Sequence, residues 1–198
     1  MSIKFMRNFG LVCAVFLLAA CDKPQVDETS EGPPVAASEP SPAPAEGTVS
    51  SLNLDGDGLR LIDSNSGGAR AVEFGTNKTE FLEMLEKVTG KPAVKQGNNE
   101  DCGATNAVWS DGLITWFQAE RFVGWSISED QASTLRTANG IGLGMTRTEL
   151  ENSGTVVQVT ESSIGIEFSA GNVAGLLNSS NADANISNMW AGQVCIAR

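Results

Sequence analysis

Gly144-Met-Thr-Arg-Thr-Glu-Leu150 decides the fold, because it recurs upstream as Gly75-Thr-Asn-Lys-Thr-Glu-Phe81, offset by 69 residues. In each copy a candidate cap, Thr146 or Asn77, is followed three positions later by a glutamate, Glu149 or Glu80. That is capping-box spacing: the cap side chain satisfies an orphan amide of the first turn while the glutamate reaches back to the cap amide. The glycine heading each copy permits the turn from an extended segment into the helix. The first helix is predicted over 78–89, with Phe81, Leu82, Leu85 and Val88 as its apolar stripe. Gly90 and Pro92 stop it. The second starts at Arg147 and meets Gly154 within two turns, so it is short.

A second pair of blocks follows in the same order. Phe117-Gln-Ala-Glu-Arg-Phe-Val-Gly-Trp125 aligns with Phe168-Ser-Ala-Gly-Asn-Val-Ala-Gly-Leu176, offset by 51 residues. Both read as β-hairpins. With Ala119-Glu120 and Ala170-Gly171 as two-residue turns, Phe117 faces Phe122 and Phe168 faces Val173. Asp111-Gly112 marks a further tight turn, between 107–110 and a strand over 113–118. Other strand candidates are 59–63, 70–74, 156–160 and 193–197. The expected fold class is α+β, an antiparallel sheet with two short capped helices on one face. Two blocks repeated in order predict two half-repeats, about 70–127 and 139–198, within a domain spanning 51–198.

The amino terminus carries a different message. Lys4 and Arg7 precede an apolar run from Phe9 to Ala20, which ends in Leu18-Ala19-Ala20-Cys21. That run is well short of the ~20 residues a spanning helix needs. The segment resembles a bacterial lipoprotein signal, with residues 1–20 as the signal peptide. The resemblance implies that Cys21 is the lipidated residue, bearing a diacylglyceryl thioether and a palmitate-type acyl chain. The protein would then sit in the cell envelope, anchored to a membrane and facing the periplasm. Several acyl chains at ~0.8 kcal/mol per buried methylene make such an anchor effectively permanent. Asp22 resembles an inner-membrane retention signal of enteric bacteria, and the choice of inner or outer membrane stays open. Residues 21–50 hold six of the seven prolines and six acidic groups against Lys23, and read as a disordered, extended tether.

Charge and composition exclude several function classes. The net charge is −11, and residues 51–198 alone carry 18 acidic against 10 basic groups. A surface of that sign repels nucleic acid, so none is expected as a partner. The chain has no histidine, which rules out Ser-His and Cys-His nucleophile pairs and removes the commonest nitrogen metal ligand. No catalytic residue, metal site or cofactor is assigned. Of the four cysteines, Cys13 lies in the signal and Cys21 in the lipid box. Cys102 and Cys195 are left as an even pair in an oxidising compartment, and a disulfide between them is expected. The competing reading, a reactive thiol, lacks a CxxC context or a histidine partner.

Leu143-Gly-Met-Thr-Arg-Thr-Glu-Leu150, with the looser Phe74-Gly-Thr-Asn77, resembles the helix entry of the SmpA/OmlA-type outer-membrane lipoprotein module. Two modules in tandem resemble the β-lactamase inhibitory proteins. The chain is also similar to uncharacterised proteobacterial lipoproteins through segments such as Arg121-Phe-Val-Gly-Trp125 and Trp190-Ala-Gly-Gln-Val-Cys195. These likenesses imply a fold and carry no contact residues with them.

The first hairpin supplies the candidate partner-binding surface. Its register stands Ile114 beside Trp125 and Trp116 beside Val123, on the side opposite Phe117 and Phe122. An exposed patch of that kind suits an envelope or periplasmic protein. Against it stands a segment over 52–74 that folds over these side chains, or a register one residue off. Asn53-Leu-Asp-Gly-Asp-Gly58 has the look of a calcium loop, but Ser64 stands where the bidentate glutamate belongs, so a polar turn is expected. The functional expectation is a non-catalytic protein-binding lipoprotein. The alternatives are a structural envelope-assembly lipoprotein and a hydrolase working through paired carboxylates.

Overall fold

A computed structural model describes residues 49–196. The expected signal peptide 1–20, the expected lipid site Cys21 and the expected tether up to residue 48 lie outside the described residues. The first strand begins at Val49, so the last two residues assigned to the tether belong to the sheet.

Three strands open the domain: β1 (Val49–Asp55), β2 (Gly58–Asp63) and β3 (Ala69–Glu73), paired antiparallel in that order. Helix α1 (Lys78–Thr89) follows, then β4 (Lys95–Asn99), β5 (Ala104–Val108), β6 (Ile114–Gln118) and β7 (Arg121–Ser128). After the short α2 (Arg147–Glu151) come β8 (Val157–Ser162), β9 (Gly165–Ala170), β10 (Val173–Leu177) and β11 (Ile186–Gly192). These last eight strands form one antiparallel sheet in the order β4-β5-β6-β7-β11-β10-β9-β8. The chain therefore enters the sheet at one edge and runs to its centre, then enters at the other edge and runs back to meet β7 with β11. The fold is α+β and dominated by strands.

Local chemistry sets the helix ends. Asn77 Oδ1 accepts the Thr79 amide at 2.9 Å, and Gly90, at φ 68°, closes α1 by donating its amide to Glu86 O at 2.8 Å. The reciprocal box expected at Asn77 is not what forms. The short asparagine side chain spans to the second helical amide, and the cap is one-sided. At Thr146 the box is complete: the Glu149 amide donates to Thr146 Oγ1, and the Thr146 amide donates to Glu149 Oε2 at 2.8 Å.

Phenylalanines fasten α1 to the sheet. The Phe81 ring lies 4.2 Å from Phe122 and 5.5 Å from Phe117, centroid to centroid, and Phe74 lies 5.1 Å from Phe122. Leu85, Leu150, Phe168, Ile186 and Met189 continue the same buried cluster under the second run of strands. Aromatic burial on this scale stabilises by roughly 1.5–3 kcal/mol per fully buried side chain.

Four expectations need correction. First, β7 carries a bulge. Phe117 pairs with Phe122 across the Ala119-Glu120 turn as expected, but the next pair inward is Trp116 with Gly124, and Thr115 then pairs with Trp125. Val123 is the extra residue, and one insertion reverses the alternation beyond it. Ile114 therefore stands beside Ser126, not Trp125, and Trp125 joins Phe122 on the core face. Second, the β9–β10 turn is Gly171-Asn172, one residue later than expected, so Phe168 stands opposite Gly175 and Val173 opposite Ala170. Third, residues 193–196 form no strand, whereas 186–192 do. Fourth, the sequence reading missed β1 and β4 as well as β11. The Asn53–Gly58 segment is the end of β1, the two-residue turn Gly56-Asp57 and the start of β2, and Asp55 Oδ1 accepts the Asp57 amide at 3.0 Å.

Candidate interaction surface

The face of the large sheet away from the phenylalanine cluster is defined by register, since directly paired residues point the same way. One cross-strand row runs Val108, Ile114, Ser126, Trp190 and Ala174. A parallel row runs Ser128, Asn188, Leu176 and Glu167, and a third holds Asn106, Trp116 and Gly124. Between them lies a groove of about 240 Å³ bordered by Ile114, Trp116, Leu176 and Trp190, with Ser126, Ser128 and Asn188 supplying polar groups. Each tryptophan is 7% exposed. The Trp116 indole donates to Ser126 Oγ at 3.0 Å, so its polar atom is satisfied while its ring walls the groove.

Two of the four predicted partner-binding residues, Ile114 and Trp116, belong to this groove. Val123, at the bulge, instead lines a smaller cavity of about 120 Å³ with Cys102, Gln118 and the segment 193–195. Trp125 is on the other face and fully buried, its Nε1–H donated to the main-chain oxygen of Asp55 at 2.8 Å. The bulge accounts for both displacements. In their place the structure adds Trp190, Leu176, Ser126, Ser128 and Asn188. Trp190 carries a signal as a bulky aromatic close to the second cysteine, but its strand, 186–192, has no clean alternation to place it.

A larger cavity of about 270 Å³ lies where the β1–β2 turn meets the loop 137–139 and the β9–β10 turn. Two of its side-chain amides are already engaged: Asn139 Nδ2 donates to Thr155 Oγ1 at 2.7 Å, and Asn172 Nδ2 donates to Asp57 Oδ1 at 2.8 Å. The nearby Asp55 carboxyl is raised by burial, but the Asp57 amide and the Arg60 guanidinium at 2.9 Å outweigh that and hold its pKa below the usual value. Those donors consume the carboxylates of the would-be calcium loop. Among the described residues no three His, Cys, Asp or Glu side chains gather as a metal-holding group.

Cys102 and Cys195 are joined by a disulfide, with their Cα atoms 6.0 Å apart and 93 residues between them in sequence. Cys102 ends a short 3₁₀ turn (Glu100–Cys102) that links β4 to β5, and Cys195 follows the end of β11. Among the described residues no helix is long and apolar enough to cross a membrane. The chain matches no protein-family model, no curated protein and no solved structure.

Proposed function

We propose that this chain is a lipid-anchored envelope protein whose folded domain binds another protein through the tryptophan groove of its large sheet. The observation that carries the reading is that Trp116 and Trp190 line one concave apolar site with hydrogen-bonding groups at its margin. Aromatic side chains in a desolvated pocket ringed by polar groups are the usual composition of an interface hot spot. The absence of histidine from the sequence weighs against the commoner nucleophile pairs and favours binding over catalysis. Lipidation at Cys21 and a tether over 21–48 would hold the groove away from the bilayer, facing periplasmic proteins.

The domain is inferred to be a duplication, with a helix on the phenylalanine face from each half. Two observations support this. The strand order is symmetric about the β7–β11 pair. The helix entries also make matching bonds: Gly75 and Thr76 exchange backbone bonds with Phe122, as Gly144 and Met145 do with Ile186. On this reading β6–β7 corresponds to β10–β11, rather than to β9–β10 as the sequence blocks suggest. The SmpA/OmlA-like and inhibitory-protein-like resemblances are compatible with such a duplication.

The test uses the full chain expressed in a bacterial envelope with Ser128→Arg, which puts a long charged side chain on the groove margin without touching the core. In-cell cross-linking should capture a protein partner with the wild type and lose it at least about tenfold with the variant. Equal capture by both, or none by either, would remove the groove from the function. Metabolic palmitate labelling that is lost in Cys21→Ser tests the anchor separately.

A further inference from the structure

We propose that the Cys102–Cys195 disulfide is a latch on a C-terminal strap, residues 193–196, that closes one side of the tryptophan groove until a dithiol reductant opens it. The latch goes beyond the binding role above and can be tested without any partner.

The strap's path carries the inference. It leaves β11 at Gly192, whose φ of 72° turns the chain out of the sheet. It then crosses β7 at Gly124, where a Cβ would collide with the carbonyl oxygen of Gln193. Backbone lies directly on backbone there, an approach only glycine permits. Because Gly124 pairs with Trp116, the crossing is on the groove face. The Gln193 amide donates to Val123 O at 2.7 Å, and Cys195 then reaches Cys102 in the β4–β5 turn, past Gln118 of β6 and Ala104 of β5. Cys195 and Ile196 thus become lining residues of the groove, beside Trp116 and Trp190.

The bond fastens the strap to an edge turn and leaves the sheet to hold itself. β11 is already paired on both sides, to β7 and β10, and β5 is paired to β4 and β6. Among the described residues the strap has one backbone hydrogen bond to the sheet, that of Gln193. A segment with so little hydrogen bonding opens locally once its covalent tie is cut. Both cysteines are only half-buried, within reach of a reductant.

The chemistry is thiol–disulfide exchange. A thiolate of the dithiol attacks Sγ of Cys195, the S–S bond breaks, and Cys102 leaves as a thiolate that takes up a proton. The second thiol of the reductant then attacks the mixed disulfide and frees the Cys195 thiol. The protein gains two electrons and two protons, and the reductant departs as its own disulfide. With the strap released, the groove loses one wall and its two tryptophans gain exposure. Trp109 and Trp125 are buried in the core and report no change.

The experiment compares the full chain, oxidised and treated with dithiothreitol, with the Cys195→Ser variant, using amide exchange and tryptophan emission. Reduction and substitution should each speed exchange at 193–196 at least about tenfold and shift emission to the red, with β6, β7 and β11 keeping their protection. Unchanged strap protection and emission would show that packing alone holds the segment. Loss of protection throughout the sheet would make the bond a staple of the whole domain. Either result overturns the latch.

Discussion

Trp125 hands its indole hydrogen to the main-chain oxygen of Asp55, 70 residues earlier in the chain, and so ties the three-stranded sheet to the centre of the eight-stranded one. The ring is fully buried and the bond is 2.8 Å long. The bulge at Val123 is what makes this possible, since without the extra residue Trp125 would point at the groove. Trp125→Phe keeps most of the apolar volume but removes the donor. It should lower unfolding free energy by about 2 kcal/mol, a lost hydrogen bond plus a small cavity. Urea unfolding with an unchanged slope would read this directly. A change below about 0.5 kcal/mol would mean the bond adds nothing to the junction.

The cap of α2 carries a pH signature. The Thr146 amide, and after it the Thr146 hydroxyl, hold the Glu149 carboxyl below its ordinary value of 4.5. A carboxylate whose folded pKa is depressed contributes stability that is complete above the unfolded value and is lost as pH falls through the folded one. Wild type should therefore exceed Glu149→Gln in stability at pH 7, and the gap should shrink as pH drops below about 4.5. Asp63, whose pKa is lowered by the Ser66 and Asn65 amides, acts with the same sign but is common to both proteins. Melting curves between pH 7 and 3 decide it, and a constant gap would contradict the cap's role. Thr146→Ala should cost about 1 kcal/mol at neutral pH.

Gly124 offers a test of the crossing that does not touch the cysteines. In Gly124→Ala the new methyl would meet the Gln193 carbonyl, so either β7 or the strap must give. The expected loss is about 1–3 kcal/mol, with faster exchange of the Gln193 amide, whose bond to Val123 O lies at the same place. Gly175→Ala is the control. Its methyl would meet Asn188 O and the Phe168 ring, so it should destabilise the protein without freeing the strap.

What the sequence yielded and what it hid follow from where each signal is written. The extent of helix α1 was readable because Asn77 and Gly90 are local start and stop signals, although the cap at Asn77 is one-sided and not the box its spacing suggested. The Phe117–Phe122 pair was readable because a two-residue turn fixes it. The faces of the tryptophans were not, since the bulge is set by tertiary pairing and one residue inverts everything beyond it. β4, Lys95-Gln-Gly-Asn-Asn99, has no apolar alternation, and its assignment rests on backbone pairing with β5. β11 is hidden for the opposite reason. It lies in the middle of the sheet and carries a bulky, nearly buried Trp190 on the groove side as well as Met189 and Ala191 on the core side, so Ile186-Ser-Asn-Met-Trp-Ala-Gly192 shows no clean period of two. The groove shares that obscurity, because Trp190 reaches Ile114 through Ser126 across a pairing that joins residues more than 60 positions apart.

The β6–β7 turn holds stability in reserve. Ala119 and Glu120 sit at φ 48° and 58°, the left-handed pair that a two-residue hairpin of this hand requires. Neither has the freedom of glycine or the local bonding of asparagine, and a left-handed L-residue costs roughly 1–2 kcal/mol. Both side chains are exposed, and Glu120 takes part through its main-chain oxygen, which accepts the Lys78 amide at 3.0 Å. Replacing the pair as Ala119→Asn with Glu120→Gly leaves that carbonyl in place and relieves the strain. The double variant should gain about 1 kcal/mol, partly offset by the greater freedom of glycine in the unfolded chain. Thermal and urea unfolding should both move upward, and α1 should stay docked because its first amide keeps its partner. A loss of stability instead would show that the turn is held in this conformation by the Glu120 side chain, not imposed on it by the strands.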